Sequence, residues 1–116
     1  AFERLEALRY AHFLKKDGVI IANDQRIDPM PVVMGAAEYP ENILEDLGKT
    51  YRIYRIDAQK KALELGNSRV FNIIVLGLAA RHMNFTKKQW LTVIEKTLPP
   101  KTVEINRKAF LVGYGE

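Results

Sequence analysis

The sequence predicts an α/β fold: a short, mostly parallel sheet flanked by helices, with a helical cluster at its C-terminal end. Three observations carry this. Two short runs, VIIA (19–22) and YRIYRI (51–56), are rich in strand formers, and the first is apolar throughout, as strands buried in parallel sheets are. Segments with helical spacing precede and separate them. The last part of the chain, from about residue 69, reads as three successive helices with no strand between them. The whole of 1–116 is expected to be one domain.

Taken in order, Ala7, Tyr10, Ala11 and Leu14 recur at helical spacing, and the two alanines let that stripe lie close against a sheet. Lys15 and Lys16 suit the last turn and Asp17-Gly18 the stop. After the strand 19–22, ended by Asn23-Asp24, Pro29 and Pro31 bracket a rigid turn, and VVM (32–34) reads as a further short strand. Tyr39-Pro40-Glu41-Asn42 opens a helix with Ile43, Leu44 and Leu47 inward and Gly48 as C-cap. The strand 51–56 is followed by Asp57, which caps a helix from Ala58 to Leu65 closed by Gly66.

The segment from Arg69 to Met83 is the most apolar, with nine apolar side chains between Val70 and Ala80 distributed around a helical axis. Such a helix is buried on all sides, either by its own domain or by another chain. Thr86 and Gln89 form a capping box, and Phe85 and Trp90 sit at the spacing of a hydrophobic staple, so a helix runs from there to about Leu98. Pro99-Pro100 end it. A last helix spans about Thr102 to Val112 and is expected to stop at Gly113.

Composition excludes several chemistries. There is no cysteine, hence no thiol nucleophile, disulfide or thiolate-held cluster in this sequence. No apolar run reaches the roughly 18–20 residues that cross a bilayer, and no membrane association is expected. The net charge of +4 comes from 18 basic residues interleaved with 14 acidic ones, and the densest basic clusters are pairs. Nucleic-acid binders concentrate their excess in a patch or stripe, so no nucleic-acid partner is expected. Phosphate-loop, dinucleotide-binding, zinc-protease, nucleophile-elbow and calcium-loop motifs are all missing. His12 falls beside Leu5 and Leu8 on its helix, which favours a packed, hydrogen-bonded imidazole; His82 sits near a helix C-terminus and complements its dipole. Glu38 and Glu41 flank a turn and face solvent. No catalytic residue and no metal ligand is assigned.

Two polar groups remain. Asn67, Arg69 and Asn72 cluster at the mouth of the apolar helix, where Asn67 or Ser68 caps it with Arg69 solvated, or Arg69 and Asn72 reach a partner chain or an anionic ligand. Glu104 and Asn106 in TVEINRKAF are either a plain helix face or contacts that fix register across an interface.

Three blocks, FERLEALRYAHFLKKDGVIIAND (2–24), GNSRVFNIIVLGLAA (66–80) and LPPKTVEINRKAF (98–110), are similar in order and content to the gamma-domain family of 2-oxoacid:ferredoxin oxidoreductases, in its indolepyruvate-using branch. The likeness covers essentially all 116 residues. Members of the family begin with a strand and a glycine-rich turn that this sequence lacks, so the resemblance implies that 1–116 is the C-terminal two-thirds of such a domain, with Ala1–Glu3 ending a strand. It also implies a cytoplasmic complex that oxidatively decarboxylates an aryl-pyruvate such as indolepyruvate, joins the acyl group to coenzyme A and passes electrons to ferredoxin. Thiamine diphosphate and iron–sulfur clusters would reside in a large partner subunit and none would be bound by this chain, which alone would be inactive. Asn67, Arg69, Asn72, Glu104 and Asn106 would then be candidates for the interface or for the coenzyme A and substrate route. The alternative expectation is a free-standing nucleotide- or coenzyme-binding α/β module.

Overall fold

The computed structural model describes residues 1–115, and their contacts divide into two compact units, 1–55 and 56–116. In the first, α1 (Arg4–Tyr10) leads through a 3-10 turn into β1 (Val19–Asn23), followed by α2 (Met30–Val33), α3 (Ile43–Leu47) and β2 (Arg52–Ile56), whose last residue marks the division. β1 and β2 pair side by side in a parallel sheet. On the other edge of β1 the Ala1 nitrogen donates to Ile21 O (2.7 Å) and Asn23 N–H donates to Ala1 O (2.8 Å), the alternation of a parallel pair. The core joins Ala7 and Ala11 of the first helical segment to Ile20 and Ala22 of β1 and to Tyr39, Ile43, Leu44 and Leu47. The small side chains let the helix sit close to the strand, as the two alanines of the stripe suggested.

The second unit is wholly helical after β2: α4 (Ala58–Glu64), α5 (Phe71–Ala80), α6 (Lys87–Thr97) and α7 (Val103–Tyr114). Asp57 caps α4 by accepting from Lys60 N–H (3.1 Å). The capping box of α6 is complete, with Gln89 N–H donating to Thr86 Oγ1 (3.1 Å) and Thr86 N–H to Gln89 Oε1 (2.8 Å). Phe85 meets Trp90 edge to face at 6.0 Å, and Trp90 continues inward to Phe110. α5 is packed chiefly against α7, then α4. Ile74 is fully buried and Asn72 is the one exposed residue of the helix. Much of the burial that this apolar helix demands is thus supplied by its own unit.

Four expectations change. VVM is helical: Pro31 stands in the first turn of α2, where its missing N–H costs nothing, and the Pro29 carbonyl accepts from Val32 and Val33. Three apolar residues are too few for periodicity to separate helix from strand. The first helix ends earlier, at Tyr10, leaving Lys15 and Lys16 beyond it. His12 is exposed beside the Phe13 ring (4.1 Å between centroids) and is not packed in the core. The last helix does not stop at Gly113 but continues to Tyr114, and Gly115, at φ 99°, ends it. Gly113 is needed inside the helix because a Cβ there would collide with the carbonyl of Ile74, as one at Gly77 would with that of Phe110. The α5–α7 crossing is a contact of backbone on backbone at two glycines.

Candidate functional site

Of the residues singled out from the sequence, Asn67 precedes a 3-10 turn (Ser68–Val70) that leads into α5, and its Oδ1 accepts from Arg69 N–H (2.9 Å). The Arg69 side chain is exposed, as is Asn72, whose Oδ1 accepts from Ile73 N–H (2.9 Å). Glu104 is exposed in the first turn of α7, 3.7 Å from Arg107. Asn106 is buried and donates its amide to Thr102 O (2.8 Å), one turn back. α7 packs against the 3-10 turn that carries Arg69, so both groups belong to one region of this unit. No hydrogen bond or ion pair joins one group to the other among the described residues.

A second constellation, not legible in the sequence, lies at the C-terminal ends of the two strands. Asp24 follows β1, Arg55 lies near the end of β2, and with Arg4, Arg26 and the segment Tyr39–Glu45 they line a cleft of about 340 Å³. The C-terminal edge of parallel strands is where open α/β sheets bind ligands. Asp24 holds Arg4 Nε at 2.6 Å and Arg55 at 3.7 Å, Arg55 also reaches Glu45 (3.0 Å), and Arg26 pairs with Asp28 (2.6 Å) while its guanidinium lies 4.4 Å from the Tyr39 ring centroid. Each guanidinium is oriented by a carboxylate through some of its donors, which leaves others for a bound oxyanion. Asn42, in the left-handed region at φ 56°, turns the chain into α3 beside this cleft.

Beneath it, the buried Glu3 carboxylate caps α1 by accepting from Glu6 N–H (3.0 Å), and also accepts from Ile27 N–H (3.0 Å) and the Tyr39 hydroxyl. Tyr39 Oη in turn accepts from Leu5 N–H (3.1 Å). Burial opposes the Glu3 charge, but the hydrogen bonds from Ile27, Tyr39 and Glu6 outweigh it and hold the carboxyl below its ordinary range. Burial and the neighbouring carboxylate push the Tyr39 hydroxyl up to about 12. Neither group is poised to exchange protons near neutrality, so this pair holds three stretches of backbone together and does not serve as an acid or base. Sequence spacing could not reveal it, because its members come from separate segments; the nearest signal was Asn23-Asp24 ending a parallel strand.

No group of three or more His, Cys, Asp or Glu lies together as a metal ion would require, among the described residues. None of the helices described is long and apolar enough to cross a membrane.

A parallel α/β unit with a polar cleft at its strand ends, followed by a helical unit, is the class that these features define. The pyruvate ferredoxin/flavodoxin oxidoreductase family model matches residues 1–116, and the chain belongs to that family. It is 36% identical over 97% of its length to the indolepyruvate oxidoreductase subunit IorB of Thermococcus kodakarensis, and equally to that of Pyrococcus horikoshii. The IorB of Archaeoglobus fulgidus is 36% identical over the full chain. The chain spans 59–60% of the length of these relatives. Among solved structures, the gamma subunit of a keto/oxoacid ferredoxin oxidoreductase from Geobacter sulfurreducens superposes with a TM-score of 0.70, over 98% of this chain and 59% of that one. At 22% identity that likeness establishes the fold.

Proposed function

We propose that this chain is the C-terminal portion of one gamma-type domain, in a subunit of a 2-oxoacid:ferredoxin oxidoreductase. Its substrate would be indolepyruvate or a related aryl-pyruvate, which the cytoplasmic complex converts oxidatively to an acyl-CoA while passing electrons to ferredoxin. The observation that carries this reading is the 36% identity to indolepyruvate oxidoreductase subunits over nearly the whole chain. In such a complex the reactive groups belong to a large partner subunit. This chain's residues do not fit a thiolate-held iron–sulfur cluster, because it has no cysteine to ligate one. Its own work is to bind and position. Arg69 and Asn72, exposed at the entry to α5, and Glu104 at the start of α7 supply polar contacts to the partner or to coenzyme A, while Asn67 and buried Asn106 keep the backbone beneath them in place.

The test is co-expression of the full-length subunit with its large partner. A co-purifying complex that reduces ferredoxin in the presence of indolepyruvate, thiamine diphosphate and coenzyme A, with an inactive small subunit, is the expected result. Turnover by the small subunit alone, or its isolation as a monomer with no partner, would overturn the reading. A second reading, a coenzyme- or nucleotide-binding module, draws on the arginine-lined cleft at the ends of β1 and β2. It requires the isolated protein to bind coenzyme A or a nucleotide in calorimetry, and Arg26→Ala to abolish that binding.

A further inference from the structure

The outer face of α6 carries two parallel stripes set by helical spacing. Gln89 and Val93, four residues apart, form the first, which Phe85, just ahead of the Thr86 N-cap, extends; Lys88, Thr92 and Lys96 form the second beside it. Phe85 is 58% exposed and Val93 56% exposed. Together with Gln89 and Trp90 they border an almost wholly apolar notch of about 160 Å³, and Lys88 and Thr92 line the shallow groove that continues from it. The opposite face of the helix is occupied: Ile94 is buried with Ala80 and Phe110, and Trp90, Leu91 and Leu98 pack against them.

The charge on this face is one-sided. Glu95, the one acidic residue of α6, is engaged by Arg107 at 3.5 Å, whereas no carboxylate among the described residues pairs with Lys88 or Lys96. The imbalance extends to the whole unit, since residues 56–116 hold ten of the 18 basic residues and five of the 14 acidic ones. An apolar notch bordered by uncompensated ammonium groups is complementary to one kind of surface: an apolar side chain flanked by carboxylates.

We propose that the α6 outer face is a docking surface for the partner subunit, which inserts an apolar side chain between Phe85 and Val93 and sets carboxylates against Lys88 and Lys96. This rests on the subunit reading above. A buried apolar anchor supplies the affinity, and the lysines fix register and speed encounter. Trp90, the sole tryptophan, walls the notch, and its indole N–H is buried without an acceptor among the described residues, so occupation of the notch alters its emission directly.

The test uses the full-length subunit and the co-expressed partner. Hydrogen exchange over 86–97 is compared between the free subunit and the complex, and assembly is titrated for wild type, Val93→Asp and Lys88→Glu/Lys96→Glu. Both variants alter exposed side chains, and circular dichroism verifies that they fold. The expected result is slowed exchange on the outer face of α6 in the complex, a Kd raised at least tenfold by Val93→Asp, and weaker, less salt-dependent assembly for the lysine variant. A complex that forms normally with both variants, with exchange over α6 unchanged, overturns this proposal and leaves the subunit reading intact. Slow exchange of α6 already in the free subunit overturns it in favour of a covering segment of the same chain, or of a second copy if the protection rises with concentration. Failure of the wild-type proteins to assemble removes both.

Discussion

At the scale of single residues, the pair Glu3–Tyr39 has the clearest consequence for pH. The Glu3 carboxyl is held below its ordinary value of 4.5, so its contribution to stability is fully present above that value and is lost as pH falls through the lower value of the folded state. Tyr39 works at the other end. Its hydroxyl is raised from 10 to about 12, so the folded state keeps a proton that the unfolded state releases, and the stability it adds below pH 10 is lost as pH rises toward 12. Urea unfolding of wild type and Tyr39→Phe should therefore differ by a constant amount from neutral pH up to pH 10, with the difference shrinking by about 2 kcal/mol across the alkaline window. A flat difference would mean that the hydroxyl is not raised in the folded state. With Glu3→Gln the acid limb of the stability profile should flatten instead.

At the scale of elements, two contacts contribute measurably to the stability of the helical unit. The α6 cap is local: Thr86→Ala removes the acceptor for Gln89 N–H and should cost about 1 kcal/mol, read as a lowered urea midpoint at unchanged slope. The α5–α7 crossing is not local. In an exposed helix, replacing glycine by alanine gains about 1 kcal/mol of helix propensity. At Gly77 and Gly113 that gain is outweighed, because the added carbon meets the carbonyls of Phe110 and Ile74, backbone that cannot move aside without separating the helices. Gly77→Ala and Gly113→Ala should each destabilise by about 3 kcal/mol or more, with Trp90 emission reporting the loss of packing. A neutral or stabilising effect would refute the close crossing.

At the scale of the whole molecule, the chain leaves many large apolar side chains uncovered. Ile27, Met30, Val33 and Met34 cluster around α2, and Phe2, Tyr10 and Phe13 lie exposed in the same unit. Scattered apolar residues are ordinary on a protein surface, but four exposed within eight positions is a denser concentration than isolated residues give. The free full-length subunit should accordingly enhance the fluorescence of an anionic naphthalene dye in native buffer. The assembled complex proposed above should suppress most of that signal; equal dye binding by both would show that assembly covers none of this surface.

What the sequence determined by itself is what a few neighbouring residues can specify. The strands read at 19–22 and 51–56, which fold as 19–23 and 52–56, the Asp57 cap, the Thr86/Gln89 box and the Phe85/Trp90 staple are each encoded within one turn of helix or one short run, and all are present. Where local information was thin it failed: VVM had too few residues for its period to show, and Gly113 reads as a helix stop until the helix it faces is known. The family likeness was legible for the same reason, as blocks of contiguous residues. Tertiary structure alone decided that His12 lies exposed, that Glu3 is buried beneath Tyr39, and that four separated segments converge on one arginine-lined cleft. It also decided that two glycines on different helices meet backbone to backbone. Helical and strand periods describe what a residue does to its neighbours along the chain, whereas these features depend on which distant surface the chain returns to, and that is set by the packing of the whole unit.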